Sequence, residues 1–190
     1  EIWLATWSGQ VWALFNVGYI LVISFMPVLM LAEGASSITA GFVTSVATWI
    51  LIVSGPLGGL FIESFGHKVS VMLLCFVAMA FAMAAPSMFP AALAAVIVIG
   101  IFAGPPAGAI MALPAETLRP EIRDKGMGIY FTWYYVWMAV LPPLAGWIGD
   151  ATGVISAPLI FAAIVMIATI ISLGVFLRMR ANFGKLPMTQ

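Results

Sequence analysis

The residues of this chain that can do chemistry fall into two groups. The first is Gly59-Leu-Phe-Ile-Glu63-Ser-Phe-Gly66-His67-Lys68, an acid and a basic pair set between glycines that permit close packing and positive φ. It reads as a short, tight loop at a membrane surface. A carboxylate where a helix runs out opposes the helix dipole, so Glu63 is either a solvated loop acid or one member of a longer-range pair. The second group is uncharged. At about 100° per residue, Ser8, Trp12, Asn16 and Tyr19 share one face of an apolar run, and Tyr130, Trp133, Tyr134 and Trp137 share one face of another. Their chemistry is hydrogen bonding and aromatic packing, which suits the neutral or planar part of a ligand. An unpaired amide at mid-membrane is costly, so Asn16 either bonds a neighbouring helix or faces a wet cavity. Interfacial anchoring accounts for Tyr130, while Trp137 lies too deep for it. Thr44 and Thr48 are expected to donate to backbone carbonyls one turn back.

Catalysis has no candidates. The acid pair, histidine cluster or Ser-His arrangement of an enzyme is missing, and so is a Gly-x-x-x-x-Gly-Lys nucleotide loop. No catalytic residue, metal ligand, cofactor or nucleic-acid partner is expected. The lone Cys75 lies inside an apolar run, where it reads as a small packing side chain. The chain begins at Glu1 and shows no targeting peptide, so it reads as a fragment or a processed piece.

The elements that must position these residues follow from composition. Hydrophobic residues make up 64% and charged residues 7%, with a mean hydropathy of +1.16, whereas about a quarter of a soluble domain is charged. The chain is therefore an integral membrane protein. Six apolar runs, near 2–31, 38–62, 69–85, 91–113, 127–148 and 154–177, each approach or exceed the length of a spanning helix. Punctuation lies at Glu33-Gly-Ala-Ser-Ser, the 59–68 loop, Pro86-Ser-Met-Phe-Pro90, the polar stretch 114–126 and Asp150. On this six-span reading all seven Lys and Arg fall on one side: Lys68, then Arg119, Arg123 and Lys125, then Arg178, Arg180 and Lys185. One-sided cations place that side, and both termini, in the cytoplasm.

A second register runs through the chain. Pro143, Leu144, Gly146, Asp150 and Gly153 follow Pro56, Leu57, Gly59, Glu63 and Gly66 at a constant offset of 87 positions. The second copy has Val154-Ile155 in place of His67-Lys68, as expected of copies on opposite membrane faces. The fourth run carries Gly100, Gly104 and Gly108 at the small-xxx-small spacing of close helix packing, and Pro105-Pro106, which frees carbonyls near Ile101 and Phe102 and kinks the helix. Packing competes there with direct ligand contact.

The 59–68 pattern resembles the signature loop of the major facilitator superfamily of secondary transporters, with Ser64 where that family usually has arginine. Pro114-Ala-Glu116-Thr-Leu with Arg123 and Gly126 is similar to the loop between the family's tenth and eleventh spans. The resemblance implies an all-α membrane fold of six helices as two inverted three-helix repeats (about 2–86 and 90–178), forming a bundle over 1–180 with a cytoplasmic tail at 181–190. It implies the carboxy-terminal half of a multi-pass transporter of the cell membrane, embedded in lipid and paired with an amino-terminal six-helix half. Such a transporter moves a small-molecule substrate by alternating access. Substrate contacts would then come from Trp12, Asn16, Tyr19, Trp133, Tyr134 and Trp137, facing the Pro105-Pro106 helix. Gating would involve Gly59, Glu63, Gly66, Lys68, Gly104, Pro105, Pro106, Glu116 and Arg123, with Glu63 and Lys68 in the cytoplasmic lock. Any ion relay would use the other half, since no acid, lysine, arginine or histidine lies at mid-membrane here. The alternative is a standalone six-span protein that dimerises through the glycine ladder as a scaffold or subunit.

Overall fold

The computed structural model describes residues 1–85 and 89–183. Within them are six helices, α1 (Ile2–Ala32), α2 (Ser37–Phe65), α3 (Lys68–Ala84), α4 (Phe89–Thr117), α5 (Arg123–Thr152) and α6 (Ala157–Phe183), with one 3-10 turn at Pro120–Ile122 and no strand among the described residues. The apolar runs set where the helices lie, and turn chemistry sets where they stop. The Ser36 hydroxyl accepts from the Thr39 amide at 3.1 Å and starts α2. Gly66 and Gly153 both adopt φ of +67° and cap α2 and α5, their amides donating to Ile62 O and Gly149 O. These two glycines occupy equivalent places in the 87-residue register, and Pro56 and Pro143 lie inside the two helices they end.

Not every expectation carries over. The 114–126 stretch is mostly helical: α4 continues through Pro114 to Thr117, and α5 already begins at Arg123. The 86–90 turn lies outside the described residues at 86–88, and so does the tail from 184 onward, including Lys185. Finally, of six expected spans, α1, α2, α4 and α6 are long and apolar enough to cross a membrane by those measures alone. α3 has 17 residues, and the Tyr, Trp, Pro and Gly content of α5 together with its charged start dilutes its hydropathy.

Packing shows that α3 and α5 nonetheless traverse the bundle. A Cβ on Gly9 would stand 2.9 Å from the Tyr130 backbone and one on Gly146 would stand 3.7 Å from the Phe25 ring, so α1 and α5 run parallel. A Cβ on Gly58 would meet Pro105 at 2.5 Å and one on Gly100 would meet Ala47 O at 2.8 Å, so α2 and α4 are parallel too. α3 must therefore return the chain along the whole bundle, a rise of about 25 Å for a helix of this length.

α1 sits at the centre, packed on α4, α5 and α6, with Ala5, Val11, Ala13, Val17, Leu21, Val22 and Met26 fully buried. α2 lies outermost. It rests mainly on α4 and leaves Phe42, Trp49, Ile52, Leu57 and Leu60 exposed. Its contact with α4 is close because the facing residues are small. Gly104 fits against the Ser54 backbone and hydroxyl with no room for a Cβ, and Ser54 Oγ donates to Gly100 O at 2.6 Å. This hydroxyl reaches the carbonyl next to those that Pro105 and Pro106 release. Gly108 has no neighbour within 4 Å of a built Cβ, so only two rungs of the glycine ladder pack, and they pack on α2 of the same chain. The expected 59–68 loop is helical as far as Phe65, because its apolar residues extend α2, and the turn itself is only Gly66-His67; the glycine of α2 that packs closely is Gly58, whereas Gly59 has open space beside it.

Candidate functional site

The α1–α5 seam gathers most of the expected binding residues. With the backbones in contact at Gly9 and Tyr130, the aromatic side chains of α5 are pressed along α1. The Trp12 ring lies 6.3 Å from Tyr130 and 6.3 Å from Tyr134, nearly parallel to the first. Trp133 stacks on Trp137 at 6.2 Å and 23°. Trp137 Nε1 donates to Gln10 Oε1, which joins the two helices by a polar contact inside an apolar region. Gln10 lies about 120° round α1 from Asn16, off the face that carries Ser8, Trp12, Asn16 and Tyr19, so grouping by helical face leaves it out. The available signal was its being an amide in an apolar run.

Asn16 and Tyr19 go elsewhere. Asn16 Nδ2 donates to Trp12 O of its own helix at 2.8 Å, so it bonds no neighbouring helix, and its half-buried carbonyl oxygen accepts nothing among the described residues. The Tyr19 hydroxyl is 3.2 Å from Thr48 Oγ1 on α2. Thr44 donates to Ala40 O as expected, but exposed Thr48 leaves its own backbone for this tyrosine, because the α1–α2 approach brings a better-placed partner. Ser8 is fully buried and donates to Ala5 O, which makes it a packing residue. Tyr130 is buried as well, with its hydroxyl unpartnered, and is therefore no interfacial anchor: Gly9 lets α1 close over it. Pro106 is buried, and Pro105 opens onto cavities shared with α2 and α3, not onto the α1–α5 seam.

The second cluster sits at one end of the bundle. Lys68 Nζ at the start of α3 is 2.6 Å from Glu116 Oε1 at the end of α4, and Arg180 near the end of α6 is 3.9 Å from the other oxygen of that carboxylate. Arg119 pairs with Glu1 at 2.5 Å, and Arg123 donates to Ala115 O at 3.1 Å. A cavity of about 360 Å³ opens beside them, lined by Gly59, Glu63, Gly66, Lys68, Gly108 and Glu116 among others. The partner of Lys68 is thus Glu116, and exposed Glu63 makes no ion pair among the described residues. The geometric reason is the parallel course of α2 and α4, which brings the end of α4 alongside the 66–67 turn.

The seam offers amide, indole and hydroxyl groups with aromatic surface and no fixed charge, and the end cluster offers charge outside the apolar region. The first can bind a solute, and the second can tie helices together or release them. Among the described residues no three His, Cys, Asp or Glu side chains group as a metal site. A family model described as Major Facilitator Superfamily matches residues 10–187. No curated protein and no solved structure matches the chain significantly.

Proposed function

The chain belongs to the Major Facilitator Superfamily, and on that premise we propose that it is the carboxy-terminal six-helix half of a secondary transporter. It moves a small solute across the cell membrane by alternating access with an amino-terminal half. The observation that carries this reading is the division of labour between the uncharged α1–α5 seam and the charge cluster at one end of the bundle. The solute binds through Trp12, Trp133, Tyr134 and Trp137 of the seam, with Asn16 and Tyr19 of α1 beside it. Gly59, Glu63, Gly66, Lys68, Gly104, Pro105, Pro106, Glu116 and Arg123 belong to the moving parts and the latch.

The two halves of the chain, α1–α3 and α4–α6, are inverted repeats. The shared glycine caps of α2 and α5 support this, as does the direction of the two helices: α2 ends at the charged end of the bundle and α5 begins there. The charged end faces the cytoplasm, because cations collect there. A dimerising scaffold is the weaker reading, since Gly100 and Gly104 are closed over by α2 of the same chain.

Reconstitution of the full-length protein in vesicles, with a panel of radiolabelled solutes and a counterflow assay, tests the proposal. Saturable counterflow of at least one solute is expected. Equal flux from the six-helix chain alone, or none from the full-length protein against any solute class, would overturn it.

A further inference from the structure

α2 and α3 are joined by only Gly66 and His67, yet they scarcely touch, because each packs on α4. The result is a wedge-shaped groove of about 530 Å³ with Phe61 and Phe65 on one wall, Val71 and Leu74 on the other, and Ile101 and Phe102 in the floor. Phe61, Phe65, Leu74 and Ile101 are all largely exposed, so the groove opens sideways out of the bundle. Its polar lining is confined to the mouth. There His67 donates Nδ1–H to Phe65 O at 2.8 Å, which leaves the other ring nitrogen without a partner among the described residues, and exposed Ser70 has a hydroxyl with no partner among them either.

The acids lie elsewhere. Glu63, Glu116 and Lys68 line the separate cavity described above, and no carboxylate lines this groove. Along α3 the lining runs from His67 to Cys75. Eight residues of helix rise about 12 Å, close to the roughly 15 Å depth of one leaflet's hydrocarbon.

We propose that this groove is a binding site for a membrane phospholipid, with one acyl chain along Phe61, Leu74 and Phe102 and the headgroup phosphate at His67 and Ser70. Three features specify that occupant. The walls are apolar and open to the side, as a chain entering from the bilayer requires. The depth matches one leaflet. The mouth carries a free hydroxyl able to donate to a phosphate and an imidazole whose second nitrogen donates to one in the doubly protonated ring, and no carboxylate lines it. A short-chain solute would leave the walls uncovered, and a protein helix would bring no anion to the mouth.

The test uses the full-length protein in phosphatidylcholine vesicles doped with a phospholipid carrying a diazirine on its acyl chain. Crosslinked peptides are then mapped by mass spectrometry. Crosslinks should concentrate on the segments bearing Phe61, Leu74 and Phe102 relative to the exposed face of α6 at Ile164 and Ile171. Leu74→Trp should fill the groove and lower labelling there to the level of the α6 face, while labelling of α6 stays unchanged. Ser70→Ala should lower groove labelling about fivefold, the ratio that one lost net hydrogen bond corresponds to. Labelling spread evenly over both faces, or crosslinks from a photoreactive residue at position 74 to another segment of the polypeptide, would overturn the proposal. The wild-type map decides even if a variant fails to fold.

Discussion

Trp137 on α5 donates its indole N–H to the side-chain oxygen of Gln10 on α1. The two helices already touch through backbone at Gly9 and Tyr130, so this bond does little to hold them together and much to orient the indole against Trp133. A stacked tryptophan pair held in this way presents a preformed planar surface, and little side-chain entropy is lost when a solute lands on it.

Gln10→Leu should leave the indole N–H unpaired and lower substrate affinity by about 1–3 kcal/mol. Trp137→Phe keeps an aromatic surface while removing the donor. If the bond matters, the two changes are not additive, and a double-mutant cycle on the affinity of the full-length protein returns a coupling of at least about 0.5 kcal/mol. Additive losses would show that Gln10 acts without Trp137.

Asn16, which takes no part in the α1–α5 contacts described above, offers an independent check of the proposed binding site. One of its two amide N–H groups is taken by Trp12 O, which leaves the other N–H and the carbonyl oxygen available to a solute. Asn16→Ala should weaken binding by about 1–3 kcal/mol, whereas Asn16→Asp, which retains an acceptor, should discriminate between neutral and anionic solutes. Normal binding by the alanine variant makes Asn16 a helix-packing group.

The glycines of α4 should separate into two kinds. Gly104→Ala pushes a Cβ into the Ser54 backbone, an overpacking expected to cost about 1–3 kcal/mol. Gly108→Ala meets open space and should be neutral or slightly stabilising, since alanine is the better helix former. Thermal unfolding of the purified variants in one detergent measures both, and equal losses would contradict the packing described.

What the sequence could and could not reveal follows from the range of the physics involved. Helix positions were readable because apolar runs and glycine caps act locally: all six helices lie where the hydropathy placed them, and Gly66 takes the positive φ expected of it. Choices between neighbouring residues were not. Glycine spacing identifies a close-packing helix, but whether Gly58 or Gly59 meets Pro105 depends on the rotation of α2 about its axis. The same holds for partners. Glu63 and Glu116 are both acids at the end of a helix, and only the parallel course of α2 and α4 decides that Lys68 reaches the second. Gln10 lies off the polar face of α1 and finds its partner on another helix, so its role depends on packing that no single apolar run encodes.

The Lys68–Glu116 pair is partly exposed on both sides, 27% and 40%, so its worth to stability is at most about 1 kcal/mol. Its effect should appear in transport. Glu116→Gln and Lys68→Gln should each change the transport rate while leaving substrate affinity within about a few-fold, and the charge swap of both residues should restore part of the rate. Glu63→Gln should likewise alter rate and leave binding intact. Loss of substrate binding in any of these with unchanged rates of access would place the residues in the binding site instead.

The last prediction concerns sidedness. Ion pairs join the start of α3 and the end of α4 to the end of α6, and the 118–122 connection to the start of α1, so every cation of the described chain sits at one end of the bundle. At the opposite end the charged groups are Glu33 and Asp150, both acids. A bilayer orients such a bundle with its cations toward the cytoplasm, because Lys and Arg resist translocation while acids contribute little. Single cysteines at positions 33, 68 and 150, introduced after Cys75→Ala, test this directly with a membrane-impermeant maleimide on intact cells. Cys75 is buried and is removed only to clear background. Positions 33 and 150 should label from outside, and position 68 only after the membrane is opened. Labelling at 68 with protection at 33 and 150 would invert the orientation. Labelling at only one of 33 and 150 would show that α3 and α5 do not cross the membrane together with the other four.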